Sequence, residues 1–174
     1  MNTASCFKID FGDIATDGTT RKWHLDDAFF EALDEQEIEH GSLDATLRVN
    51  KKNDAFELSF DIKGNVQIPC DRCLEPMTQE IDANDTLQVR LGDSLQDDGD
   101  VITVPTDEPV LDVAWNLFET IVLAIPICHT HPDGACSREM MDILAGHTAK
   151  QDDEQQPHVD ARWDALRTLL DKEK

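Results

Sequence analysis

The sequence predicts an α+β fold: an antiparallel β-sheet or partly open barrel, packed against one long apolar helix, with a further helix at the C-terminus. Over residues 43–49, and again over 56–62, apolar side chains recur at every second position, the period of strands buried on one face. Residues 109–125 instead carry an apolar stripe at helical spacing. Residues 159–174 repeat a helical stripe after a polar stretch with little to bury.

Taken in order, "CFKIDFGDI" alternates enough for a first strand, and Cys6 there reads as a packed residue. "HLDDAFFEALD" places Leu25, Phe29 and Leu33 at helical spacing, with Asp26 as an N-cap or first-turn acid. "SLDATLRVN" sets Leu43, Ala45, Leu47 and Val49 on one face, and "KKND" turns the chain. "AFELSFDIKGNVQI" follows with Phe56, Leu58, Phe60 and Ile62 on one face and a bulge expected at Gly64. "PCDRCLEP" reverses the chain, so Cys70 and Cys73 sit at a hairpin tip, expected outside the core. "MTQEIDANDTLQVRLGD" returns as one or two strands. Residues 93–108 read as an acidic connector around the short strand "VITV".

In "PVLDVAWNLFETIVLAIP" the stripe is Leu111, Trp115, Phe118, Val122 and Ile125. Asp112, Asn116 and Glu119 mark the other side. Pro109 suits a first helical turn, and Pro126 ends the helix. Trp115 and Phe118 are both expected inside. "ICHTHPDGAC" is a loop. The expected organisation is one α+β domain over 1–145, a flexible polar linker over 146–158 and a C-terminal helix over 159–174. Val159, Trp163, Leu166 and Leu170 line that last helix.

The 174 residues hold 37 Asp and Glu against 15 Lys and Arg, a formal net charge of −22. Such a surface repels phosphate backbones, and duplex binding needs a basic stripe the sequence lacks. DNA is therefore excluded as a partner, and basic proteins are favoured. Neither a secretory signal nor an apolar run of membrane length is visible, so a cytoplasmic protein without a membrane partner is expected. In that compartment the five cysteines read as free thiols or metal ligands. Phosphate-loop, nucleophile-elbow and metalloprotease motifs are absent from the sequence, and the carboxylates are scattered. His24, His40, His147 and His158 stand alone in polar segments, so no catalytic residue is assigned.

The cysteines leave three readings open. Cys70 and Cys73 have the knuckle spacing of a zinc half-site, and Cys128, His129, His131 and Cys136 offer a second half. If zinc binds, the expected ligands are Cys70, Cys73, Cys128 and Cys136, with His131 as the substitute. A redox pair is the rival, although such pairs sit at helix N-termini. The third reading is a plain turn in which Arg72 and Glu75 matter more than sulfur.

Three segments together resemble one family. "PCDRCLEPM" is similar to the C-x-R-C-L-x-P turn of the YceD family, the large ribosomal RNA subunit accumulation proteins. "LDVAWNLFETIVLAIPIC" resembles its central helix through Asp112, Glu119, Leu123 and Pro126, and "DARWDALRTLL" its terminal helix through Asp160, Arg162 and Leu166. Many relatives carry a fuller cysteine set in the second loop. Here Cys128 and Cys136 match its outer positions, Pro132 replaces the middle cysteine and Glu139 stands near a later one. The resemblance implies a non-enzymatic role in the accumulation or processing of large-subunit ribosomal RNA. With the charge, it implies an acidic adaptor for a basic ribosomal or ribosome-assembly protein, with Asp93–Glu108 as the contact segment. The alternative is a zinc-binding or redox-active thiol protein.

Overall fold

The structure, a computed structural model, describes residues 6–12, 14, 18–33, 38, 40–99 and 101–148. The elements in chain order are β1 (Lys8–Asp10), β2 (Thr19–Leu25), α1 (Asp27–Leu33), β3 (His40–Lys52), β4 (Ala55–Pro69) and β5 (Pro76–Gly92). They continue as β6 (Gln96–Asp97), β7 (Val101–Pro105), β8 (Val110–Asp112), α2 (Ala114–Ala124) and α3 (Arg138–His147). The chain divides into two compact units, Met1–Met141 and Asp142–Lys174. The expected terminal helix over 159–174 and residues 149–158 of the expected linker lie outside the described residues, while residues 146 and 147 belong to α3.

The fold is α+β, with a six-stranded mixed sheet in the order β2-β3-β4-β5-β7-β6 and a two-stranded sheet of β1 and β8. The sheet is not purely antiparallel, because β5 and β7 pair in parallel. Its order leaves β2 and β6 as edges among the described residues, so the sheet does not close into a barrel. The acidic connector is thereby partly ordered: β6 and β7 lie within residues 93–108, and Ile102 and Val104 are buried.

Alternation builds the central strands. Leu43, Ala45, Leu47 and Val49 of β3, Phe56, Leu58, Phe60 and Ile62 of β4, and Ile81, Leu87 and Val89 of β5 are all buried. Their polar neighbours face water, as antiparallel sheets allow. The β3–β4 turn is Asn53–Asp54, with Asn53 at φ 56°, a left-handed conformation that asparagine tolerates. The expected bulge at Gly64 is absent, for the register runs unbroken from Ala55↔Arg90 to Pro69↔Pro76. Val66 and Ile68 simply continue the phase of Ile62. Gly64 is needed for another reason. A Cβ there would lie 2.2 Å from the Ser42 carbonyl oxygen, and its φ of 153° disfavours other residues.

The core lies between one face of this sheet and helices α1 and α2. Phe29 and Phe30 of α1 enter it, with Phe29 edge-on to Phe7 at 5.2 Å between ring centroids. Leu117, Phe118, Thr120 and Ile121 of α2 are buried, and the Thr120 hydroxyl donates to the Asn116 carbonyl. The expected long helix is thus an eleven-residue one. Val110–Asp112 pairs with β1 instead of opening the helix, and the Asp112 carboxylate accepts the Ala114 N–H at 3.0 Å. At the other end Ile125 is extended, as a residue before proline must be. Trp115 is half exposed, contrary to the expected stripe, because the buried face centres on Leu117, Phe118 and Ile121. Cys6 is exposed, and it contributes only its carbonyl, which accepts the Trp23 indole N–H at 3.0 Å.

Phe118→Ala should destabilise the protein by about 3–5 kcal/mol in denaturant titration, the range for truncating a buried aromatic. Trp115→Ala should lose about 1–2 kcal/mol, since only part of its area leaves water. Gly64→Ala should lose more than about 1 kcal/mol by forcing β3 and β4 apart. Equal losses for Phe118 and Trp115 would contradict the placement of α2.

Candidate metal centre

Strand β4 carries its inward phase into the turn. Val66, Ile68 and Cys70 occupy successive inward positions, and Cys70 is fully buried. The tip then closes tightly. The Cys70 N–H donates to the Glu75 carbonyl at 3.0 Å and the Leu74 N–H to the Cys70 carbonyl at 2.9 Å. Leu74 adopts φ 60°, a conformation rare for a bulky residue. That turn brings the Cys73 sulfur back beside Cys70, and Cys73 is 3 % exposed. The expectation that this pair lies outside the core is therefore corrected: the loop after α2 covers it.

Two-way contacts seat that loop. The Asp71 N–H donates to the His129 carbonyl at 2.9 Å, and the His129 N–H donates to the Asp71 carboxylate at 2.8 Å. The His129 ring lies 3.4 Å from the same carboxylate and 3.0 Å from the Pro126 carbonyl. Arg72 reaches Asp133 at 3.7 Å. The result is a cluster of Cys70, Cys73, His131 and Cys136, whose ligand atoms all lie within 4.8 Å of one another. The Cys70 and Cys136 sulfurs are 3.9 Å apart, and the Cys73 sulfur is 3.4 Å from His131 Nδ1.

These distances distinguish the chemistries. A disulfide needs sulfurs about 2.05 Å apart. A tetrahedral zinc with bonds of about 2.3 Å to sulfur and 2.0–2.1 Å to nitrogen sets sulfurs about 3.8 Å apart and sulfur about 3.6 Å from nitrogen. The cluster is within metal-binding distance, and its donor set of three thiols and one imidazole suits zinc. Backbone N–H groups support it: those of Arg72 and His131 each lie 3.4 Å from the Cys70 sulfur.

Those groups also shift the thiols. Burial pushes Cys70 up, but the N–H groups of His131, Cys73 and Arg72 outweigh it and leave the thiol at about 6. Cys73 is lowered, chiefly by the Ser137 N–H. His131 is raised by its hydrogen bonds to Cys73 and Cys70. Burial, with Cys73 and Cys70 adding to it, pushes Cys136 up to about 11.

Of the residues singled out in the sequence, the structure brings Cys70, Cys73, Cys136 and His131 together, while Cys128 is exposed and outside the cluster. The clasp between Asp71 and His129 was not legible, for nothing in the spacing pairs a turn aspartate with a histidine 58 residues away. His24 and His40 are exposed and pair with Asp44 and Asp27.

Fold and cluster define a class: a small α+β protein in which a hairpin knuckle and a post-helix loop converge four soft ligands. The chain belongs to the YceD family, whose model, described as large ribosomal RNA subunit accumulation protein YceD, matches residues 58–170. The match includes the hairpin, α2 and the cysteine loop. No curated protein and no solved structure matches the chain. Proteins of this family are non-catalytic accessory factors, and this chain is not an enzyme.

Elemental analysis of the purified protein should find one zinc per chain. Cys70→Ser, Cys73→Ser or Cys136→Ser should lose it, and Cys128→Ser should keep it. The reverse pattern for Cys128 and Cys136 would displace the assignment. Binding should also weaken as pH falls. Cys136 holds its proton throughout the neutral range and must release it to bind metal. Apparent zinc affinity should therefore drop about tenfold or more per pH unit between about pH 8 and 6, read by chelator competition.

Proposed function

We propose that this protein is a non-enzymatic accessory factor in the accumulation of large-subunit ribosomal RNA, acting in the cytoplasm as an acidic adaptor for a basic ribosomal or assembly protein. A zinc ion held by Cys70, Cys73, His131 and Cys136 fastens the hairpin tip to the loop after α2. The observation that carries the reading is the family match across residues 58–170. A net charge of −22 supports the adaptor step, because it repels RNA and attracts cationic proteins. Asp93, Asp97, Asp98, Asp107 and Glu108, on or beside the β6–β7 edge, are exposed and offer the first charged contact. The absence from the described helices of one long and apolar enough to cross a membrane agrees with a site of action away from lipid.

The metal reading is favoured over redox chemistry by the geometry of the donors. The cysteine knuckle lies on an antiparallel hairpin and faces an imidazole and a third thiol, whereas redox pairs sit at helix N-termini. Four protein donors leave a zinc ion no open position, which is the pattern of a structural site.

Co-sedimentation with assembling large subunits tests the reading. Binding should survive nuclease treatment and weaken steeply as salt rises from about 0.05 to 0.5 M, as exposed charges become screened. Replacing the five acids above with Asn or Gln should slow association. Micromolar binding to protein-free ribosomal RNA at physiological salt would overturn the adaptor reading.

A further inference from the structure

Helix α2 carries a ridge that the described residues leave bare. Trp115 is 52 % exposed and Leu123 78 %, with exposed Glu119 one turn from each. At the Trp115 end the ridge opens into an apolar cavity of about 270 Å³, walled by Phe7, Phe29, Leu33 and Ala114, with Asp112 at its lip. Phe7 and Phe29 are core residues, so the floor of this cavity is preformed. The volume falls below the ~300–1,000 Å³ of small-molecule sites and suits single side chains.

The two helices beside it carry charge of one sign. Neither α1 nor α2 contains Lys or Arg; their charged residues are Asp27, Glu31 and Glu119. The cation nearest in register is Lys8, opposite Asp112 in the β1–β8 ladder. An apolar slot with Asp112 in its wall and Glu119 on the adjoining ridge disfavours RNA and anionic lipid headgroups, which would set phosphate against carboxylate. A second copy docking through the same patch is disfavoured too, since an isologous contact would bring Glu119 and Asp112 toward their own copies.

We infer that this ridge and cavity form the docking groove for a cationic amphipathic segment of the partner protein. An aliphatic or aromatic anchor enters beside Trp115, and Lys or Arg side chains meet Asp112 and Glu119. The apolar–acidic–apolar order of Trp115, Glu119 and Leu123 matches a helix whose apolar positions are separated by basic ones. The inference rests on the adaptor reading and names its surface: exposed acids elsewhere speed encounter, and the groove supplies the anchor.

A labelled synthetic peptide of about 18 residues, five helical turns, with leucine on one face and lysine on the other, is titrated onto the full chain by fluorescence anisotropy. Saturable binding is expected. Trp115→Ala should weaken it about tenfold or more, as for a central aromatic anchor. Leu123→Ser should weaken it as well, whereas Leu91→Ser, an exposed leucine of β5 outside the groove, should not. A peptide of equal charge with serine for leucine should not bind. Equal binding of that peptide, or an unchanged affinity in both groove variants, would overturn the inference. So would dimerisation in sedimentation that Trp115→Ala abolishes, which would assign the ridge to a second copy. Groove variants that lose the peptide but co-sediment normally with assembling subunits would remove the groove and spare the accessory role. An unmodified chain that fails to co-sediment would remove that role while the peptide titration still reports on the groove.

Discussion

The unbroken ladder between β4 and β5 is the constraint on which the site depends. It joins fifteen residue pairs, from Ala55↔Arg90 to Pro69↔Pro76. At about 3.4 Å per residue such a hairpin is about 50 Å long, whereas an eleven-residue helix covers about 16 Å. The sheet therefore outruns the helix that packs on it. Beyond Ile68 the next inward position is Cys70, and no large apolar side chain follows before the chain turns. The loop after α2 takes over the covering role there, and the four-ligand cluster stands where a hydrophobic core would otherwise continue.

What the sequence made legible follows from where burial is one-sided. Strands β3 and β4 were readable because each alternates cleanly between core and water. Strand β2 was not, since "TTRKWHL" buries only Leu25 fully and its place at the sheet edge depends on pairing with β3. Residues 110–112 read as the first turn of a helix because they follow a proline and Leu111 is in phase with the apolar stripe. Their pairing with β1, about a hundred residues earlier in sequence, decided otherwise, and no local pattern carries that information. Helix α3 passed unnoticed although Met140, Ile143 and Leu144 recur at helical spacing; the stripe is short, and none of its residues is buried. The period of α2 was right but its phase was rotated, as the sheet beneath selects Leu117, Phe118 and Ile121 and leaves Trp115 half out.

The candidate site divides in the same way. Two thiol-bearing turns are visible from spacing alone, because C-x-x-C at a hairpin tip is a local geometry. The choice among Cys128, His129 and His131 is a matter of the path the loop takes, and that path is set across the fold. Asp71 holds the backbone of His129 from both sides, which leaves Cys128 on the solvent side of the clasp and delivers His131 to Cys73. His131, one position before Pro132, supplies the fourth donor as a nitrogen beside three sulfurs.

The metal cluster and the bare ridge are also connected through α2. The helix ends at Ala124, Pro126 forces Ile125 out of the helical conformation, and His129 is clasped to Asp71 three residues beyond the proline. The short segment from Leu123 to His129 thus runs from the exposed ridge to the Asp71 clasp, two residues before His131 of the cluster. A four-donor zinc site offers no position for a substrate, so its chemistry agrees with a non-catalytic family. What such a site can do is remove conformational freedom, in the way a cross-link does. A zinc ion there would fasten residues 131 and 136 to the tip of the longest hairpin and would hold the end of α2 on the sheet, and with it the orientation of Leu123. A rigid apolar ridge loses less freedom on binding than a frayed one, so a structural metal would bear directly on the proposed partner recognition without any part in a reaction.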